Sequence, residues 1–283
     1  MADSATPGLL GHEVAIVTGG GSGIGEAVCR QLARRGALVI VADINARHAE
    51  RVAGAIKADG GQAQERAVDV SNADEVSHLI EETVSEHGRL DYQFNNAGIA
   101  IGGDARYLTA EHWRRVLDVD LNGVLFGTLA AYQVMVRQGF GHIVNTSSAA
   151  GLLPQPLNAP YCTAKHAVVG LSLSLRHEGA DLGVKVSVVC PGYVRTPIYQ
   201  NAEVVGLSRE TAESTPAGLR MIGAGQAAQT ILNGVARNQA VIAFPGYVRL
   251  GWRLSCLFPR LVDRAAPRQV RKARQKYAAE AQP

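Results

Sequence analysis

A single α/β domain is predicted, a doubly wound parallel sheet of seven strands with helices on both faces. Three features of the 283-residue chain predict it. Short apolar runs alternate with stretches of helical period from end to end, the pattern of a sheet covered on both sides. A glycine cluster sits between the first run and the first helical stretch. No linker-like segment or internal repeat divides the chain, and its length suffices for one full core.

The elements follow in order. Residues 14–18 (Val-Ala-Ile-Val-Thr) are β-branched and apolar and read as a buried strand. Gly19, Gly20, Gly21, Ser22, Gly23, Ile24 and Gly25 come next, and residues 24–35 have helical periodicity. Strand, glycine turn and helix together let backbone approach a pyrophosphate resting on free N–H groups at the helix start. The second strand, 38–43, ends in Asp43, eighteen residues beyond Gly25. A carboxylate at about this distance accepts hydrogen bonds from the hydroxyls of an adenosine ribose and would repel a 2′-phosphate. No Lys or Arg lies within the glycine loop or directly after Asp43, and Arg47 falls on a solvated helix face, so NAD is expected rather than NADP. Further strands are expected near 63–69, 90–95, 141–147, 185–190 and 240–244. Helices are expected near 46–59, 73–87, 109–138, 161–181 and 224–237.

Tyr161 and Lys165 stand one helical turn apart in Tyr-Cys-Thr-Ala-Lys, thirteen residues after Ser148. A phenol titrates near 10 and is a poor proton carrier near neutrality. An ammonium on the same helix face pulls that value toward the working pH, and a nearby hydroxyl can hold a substrate oxygen. Ser147 and Ser148 are adjacent, and one of the two is expected to be structural.

These residues resemble those of the short-chain dehydrogenase/reductase family. Thr18-Gly19-x-x-x-Gly23-x-Gly25 is similar to its cofactor loop, Asp69-Val70 to its adenine contact, and Asn95-Asn96-Ala97-Gly98 to its fourth-strand motif. Asn122 in Asp-Leu-Asn-Gly-Val, with Ser148, Tyr161 and Lys165, resembles its catalytic set. Pro191-Gly192-Tyr193-Val194-x-Thr196 is similar to its nicotinamide-side segment. The matches fall in order across residues 10–245. The resemblance implies a Rossmann fold binding NAD and interconverting a secondary alcohol and a ketone. Ser148 would hold the substrate oxygen, and Tyr161 would move the proton. Lys165 would bind the nicotinamide ribose and lower the Tyr161 pKa, and Asn122 would hold a relay water. Val194 and Thr196 would grip the carboxamide. It also implies a homodimer or homotetramer formed through the two long helices, and a substrate lid at 197–222. An NADPH-dependent 3-oxoacyl reductase shares the motifs, but Asp43 argues against it. A catalytically silent dinucleotide-binding regulator would have lost Ser148, Tyr161 or Lys165.

Composition narrows the rest. A net charge of +3 does not argue for nucleic acid. Cys29, Cys162, Cys190 and Cys256 are scattered and the histidines lack ligand spacing, so neither a disulfide frame nor a metal is expected. No secretory start and no run of 18 uninterrupted apolar residues is found, and a cytoplasmic location is the expectation. Ile198, Tyr199, Val204, Val205, Leu207, Leu219, Met221 and Ile222 give the lid an apolar character, suited to a steroid-, terpenoid- or lipid-like substrate. Residues 246–283 form a basic amphipathic extension in which Arg249, Arg253, Arg260 and Arg264 flank a stripe of Tyr247, Leu250, Leu254, Leu257 and Leu261, interrupted at Pro259. It is expected to pack on its own subunit or a neighbour, or else to make weak peripheral contact with an anionic membrane.

Overall fold

The computed structural model of the protein describes residues 12–207 and 221–280. Its centre is a seven-stranded sheet, parallel throughout. The strands are β1 (Val14–Thr18), β2 (Leu38–Asp43), β3 (Gln62–Ala67), β4 (Tyr92–Asn95), β6 (Gly141–Thr146), β7 (Val184–Pro191) and β11 (Val241–Phe244). They lie in the order β11-β7-β6-β4-β1-β2-β3. The chain therefore winds outward from β1 through β2 and β3, then returns to β4 and winds the other way. The reversal opens a crevice at the carboxyl ends of β1 and β4, where ligands of such sheets bind. In-register pairs such as Val17 with Val41 and with Phe94 fix the pleat, so alternate residues of one strand face opposite layers.

That alternation builds two cores. Ala15 and Val17 pack with α1 (Gly23–Arg34), α2 (Ala46–Ala58) and α7 (Ala224–Ala236), whereas Ile16 packs with α3 (Ala73–His87), α5 (Gly123–Gln138) and α6 (Ala159–Glu178). The apolar run 110–138 is long and hydrophobic enough by composition to cross a membrane. Here α5 instead buries Val124, Gly127, Ala131, Val134 and Met135 in the protein interior. Between the sheet and its covering helices Gln93, Asn95, Asn145, Thr128 and Ser172 bond one another at 2.8–3.2 Å, a buried polar network in which the side chain of Asn95 ties β4 to β6 and α5.

Every strand and helix expected for the sheet is present. Two small parallel pairs were not expected: β5 (Ile101–Gly103) with β9 (Glu203–Val205), and β8 (Val194–Arg195) with β10 (Ile222–Gly223). The expected helix at 109–138 is three pieces, α4 (Ala110–Leu117), a π-helical turn Asp118–Asn122, and α5. Beyond β11 come α8 (Gly246–Leu257) and α9 (Pro259–Glu280), separated at Phe258–Pro259 where the sequence places its break. Much of the expected lid, Leu219 included, lies outside the described residues, as do the side chains of Leu261 and Arg264.

Candidate active site

The glycine loop joins β1 to α1 at the crevice. Gly19 has φ +63, and a Cβ there would come within 2.8 Å of the Ala97 Cα. A Cβ on Gly25 would run into the Gly19 carbonyl oxygen, so helix and loop close only without side chains. Ser22 is the N-cap of α1 and makes no side-chain capping bond, which leaves first-turn N–H groups available to an anion. Ile24 packs against the core beneath. The loop and donor set thus fit a dinucleotide pyrophosphate.

Asp43, at the end of β2, reaches back to this loop. Its Oδ2 accepts from Gly21 N at 3.0 Å and its Oδ1 from Asn45 N at 2.9 Å. Arg51 on α2 donates to the Gly21 carbonyl at 2.9 Å and pairs with Glu26 at 2.6 Å, an arrangement that escaped the reading of the sequence. The residues expected on the adenine side lie one strand further on. Asp69 Oδ1 accepts from Ser71 N and Oγ, and Val70 is buried against Gly123 at the start of α5. Asn96 donates from its backbone to the Thr18 hydroxyl at 3.0 Å and from its side chain to the Thr18 carbonyl at 3.1 Å, and Ala97 N meets the same hydroxyl. The fourth-strand motif is thereby pinned against the glycine loop. Asn95 belongs to the buried network instead.

From β7 the chain passes through Pro191 and Gly192 to Val194 and Thr196. The Thr196 side chain packs on Gly23, where a Cβ would lie 3.1 Å from its Cγ2, so this segment closes the far side of the loop. Tyr193 N donates to the Tyr247 hydroxyl of α8 at 2.9 Å, and Tyr193 stacks on Tyr199 with centroids 6.2 Å apart. Tyr247 in turn packs with Leu152, Leu153 and Trp252 in one apolar cluster. The role of Tyr247 was not legible, because nothing in a repeating leucine–arginine stripe distinguishes the residue that touches the site.

Ser148, Tyr161 and Lys165 converge at the carboxyl edge of β6. Ser147 Oγ is buried and donates to the Lys165 carbonyl at 2.8 Å, so it is structural as expected. Ser148 hydrogen-bonds Tyr161. Lys165, 3% exposed, holds its Nζ 5.4 Å from the Tyr161 ring centroid and donates to the Thr146 carbonyl at 3.2 Å. Asn122 donates to Asp118 at 3.1 Å inside the π-helical turn. The side chain beside Lys165 is Asp120, fully buried, 3.6 Å from Nζ. The π-helical turn accommodates one more residue than an α-turn and so displaces the inward-facing position. The Tyr161 phenol is also pushed up from its ordinary value, not lowered. Burial disfavours the phenolate and the Asp120 carboxylate opposes it, while the bond from Ser148 acts the other way.

The family profile described as short chain dehydrogenase matches residues 13–204. The chain belongs to the short-chain dehydrogenase family. Among curated relatives it is 39% identical over 201 residues to cyclohexanol dehydrogenase of an Acinetobacter species, covering 69% of this chain and 80% of that one. It is 37% identical over 193 residues to a 3-oxoacyl-[acyl-carrier-protein] reductase of a Synechocystis species, covering 68% and 78%. A crystal structure of a short chain dehydrogenase/reductase from Burkholderia phymatum in complex with NAD superposes with a TM-score of 0.79 at 28% identity, covering 89% of this chain and 96% of that one. The protein is thus an oxidoreductase of the short-chain family acting on alcohols or ketones.

Proposed function

We propose that the protein is an NAD-dependent dehydrogenase interconverting an apolar secondary alcohol and its ketone. The observation that carries the reading is the meeting of Ser148, Tyr161 and Lys165 at the crevice whose other end holds Asp43. NAD, when bound, supplies the hydride acceptor. The Ser148 hydroxyl orients the substrate oxygen, Tyr161 takes its proton on oxidation and returns it on reduction, and Lys165 holds the nicotinamide end with Val194 and Thr196. Asp43 supports NAD over NADP because its carboxylate would repel a 2′-phosphate, and Arg51, which reaches the loop at the Gly21 carbonyl, is paired with Glu26. The apolar cluster of Leu152, Leu153, Tyr247 and Trp252, with Tyr193 bonded to it and stacked on Tyr199, supports an apolar substrate, and one relative is named for an alicyclic alcohol. Parallel calorimetry of NADH and NADPH on wild type and Asp43→Ala tests the cofactor half. NADH preference lost in the variant is expected, and NADPH preference in wild type would promote the second reading, an acyl-carrier reductase. A panel of cyclic and steroidal alcohols tests the substrate half.

Two assembly proposals accompany this reading. We infer that copies pair through α5 and α6, where Leu129 stands exposed on α5; Leu129→Arg is expected to lower the mass measured by light scattering. We also infer that α8 rests on an anionic bilayer. Leu250, Leu254, Leu257 and Phe258 are exposed along one stripe of α8 and its end, with exposed Arg249, Arg253 and Arg260 alongside. A symmetric contact between two such faces would bring arginines together, whereas anionic headgroups complement them. Sedimentation with phosphatidylserine-containing vesicles, absent with neutral ones and abolished by Leu254→Glu, is the expected result; sedimentation with neither sinks it.

A further inference from the structure

Asp120 is a carboxylate in a costly place. Oδ1 accepts from Ile99 N at 2.8 Å, and Oδ2 has no hydrogen-bond donor among the described residues. Taking an ionised carboxylate out of water is tolerated only beside a cation. That cation is Lys165, 3.6 Å from Oδ2. Each element around the pair contributes a named group. Tyr161 faces it from α6 with Ser148 behind, Cys190 from β7, and the Thr146 carbonyl from β6. Gly98 and Ile99 cover it from the loop after β4, and Tyr199 lies beyond Tyr161. Asp118, on the same turn, is engaged with Asn122. We propose that Asp120 is the counter-ion and positioning residue of Lys165, holding the ammonium beside Tyr161 and offsetting its charge there. Seen from the phenol, the pair acts as a dipole where an unaccompanied ammonium would act as a full positive charge. Asparagine at this position would keep the bond from Ile99 N and remove the offset.

The test has two arms, and only the second rests on the dehydrogenase reading. In thermal melts without nucleotide, Lys165→Met leaves a buried carboxylate unpaired and is expected to melt lowest. Adding Asp120→Asn to it is expected to raise the melting temperature again. A double variant no more stable than Lys165→Met overturns the pairing. If the asparagine variants do not fold, Lys165→Met and wild type are unfolded by urea between pH 4 and pH 9 and the difference between them is followed, a window that opens at the unfolded carboxyl pKa of about 3.9. The Asp120 carboxyl of the folded variant then binds more protons than that of the unfolded state, so its stability relative to wild type should fall as pH rises. A flat difference overturns the proposal. In the second arm, the acid limb of kcat/KM for alcohol oxidation by Asp120→Asn should move about one pH unit lower, because the uncompensated ammonium acidifies Tyr161. An unmoved limb, or one displaced upward, overturns the offset. A purely structural Asp120 would alter melting without moving that limb.

Discussion

Tyr161→Phe deletes a single oxygen and should lower turnover about a thousandfold, the usual worth of a positioned acid–base group, with NADH affinity nearly unchanged. Steady-state rates beside a fluorescence titration check both halves, and undiminished turnover would remove Tyr161 from the proton transfer. Ser148, Tyr161 and Lys165 were legible because two lie on one helix a turn apart and the third sits at a fixed chain distance. Asp43 and the glycine loop were legible for a similar reason, their spacing being set within the consecutive elements β1, α1 and β2. Asp120 was not. A pattern match favoured the asparagine two residues along, and only the π-helical turn decides which side chain of Asp118–Asn122 faces inward. The rise in the Tyr161 pKa was hidden too, since spacing reveals an ammonium on the same helix face but neither the burial of the phenol nor the Asp120 carboxylate beside it.

At the scale of elements, the attachment of α9 is open to a clean experiment. Asp104, at the end of β5, is wholly covered by two guanidiniums, Arg106 and Arg274, and the second reaches it from α9 at 2.6 Å. Arg274 first, then Arg106, hold its carboxyl well below the usual carboxylate range. A depressed folded value means the tether contributes fully above the unfolded pKa of about 3.9 and is lost only as pH falls below it. Arg274→Ala should therefore speed hydrogen exchange in α9 about tenfold at pH 5 and at pH 7 alike, leaving β1 to β7 unaffected. Equal exchange in the two proteins would show that the tether is idle. The order of strands and helices was readable from periodicity, and Pro259 marked the break before α9. The pairs β5 with β9 and β8 with β10 were not, because two- or three-residue strands carry no period and their partners lie far along the chain.

For the molecule as a whole, pH response centres on the sheet. His142 on β6 is buried, with Nε2 2.8 Å from the Ser187 hydroxyl, and burial pushes its pKa down to about 3. Below an unfolded value of about 6.5 the unfolded chain binds a proton that the folded one refuses, so stability falls as pH drops. Wild type should lose ~2 kcal/mol between pH 6.5 and 5 from this group, and His142→Asn should not. Urea unfolding at the two pH values measures the difference. The buried network around Asn95 was equally hard to foresee, since an asparagine ending a strand beside a ligand crevice looks like a ligand contact until its partners are in view. The Tyr247–Tyr193 bond carries a practical lesson for chimeras. A hybrid that keeps residues 1–245 and takes its tail from a relative should retain its choice of nucleotide, yet inherit part of its substrate taste from the donor of the tail. Substrate profiling of such hybrids would locate selectivity in a stretch beyond the matched family region, where a conventional alignment would not direct mutagenesis.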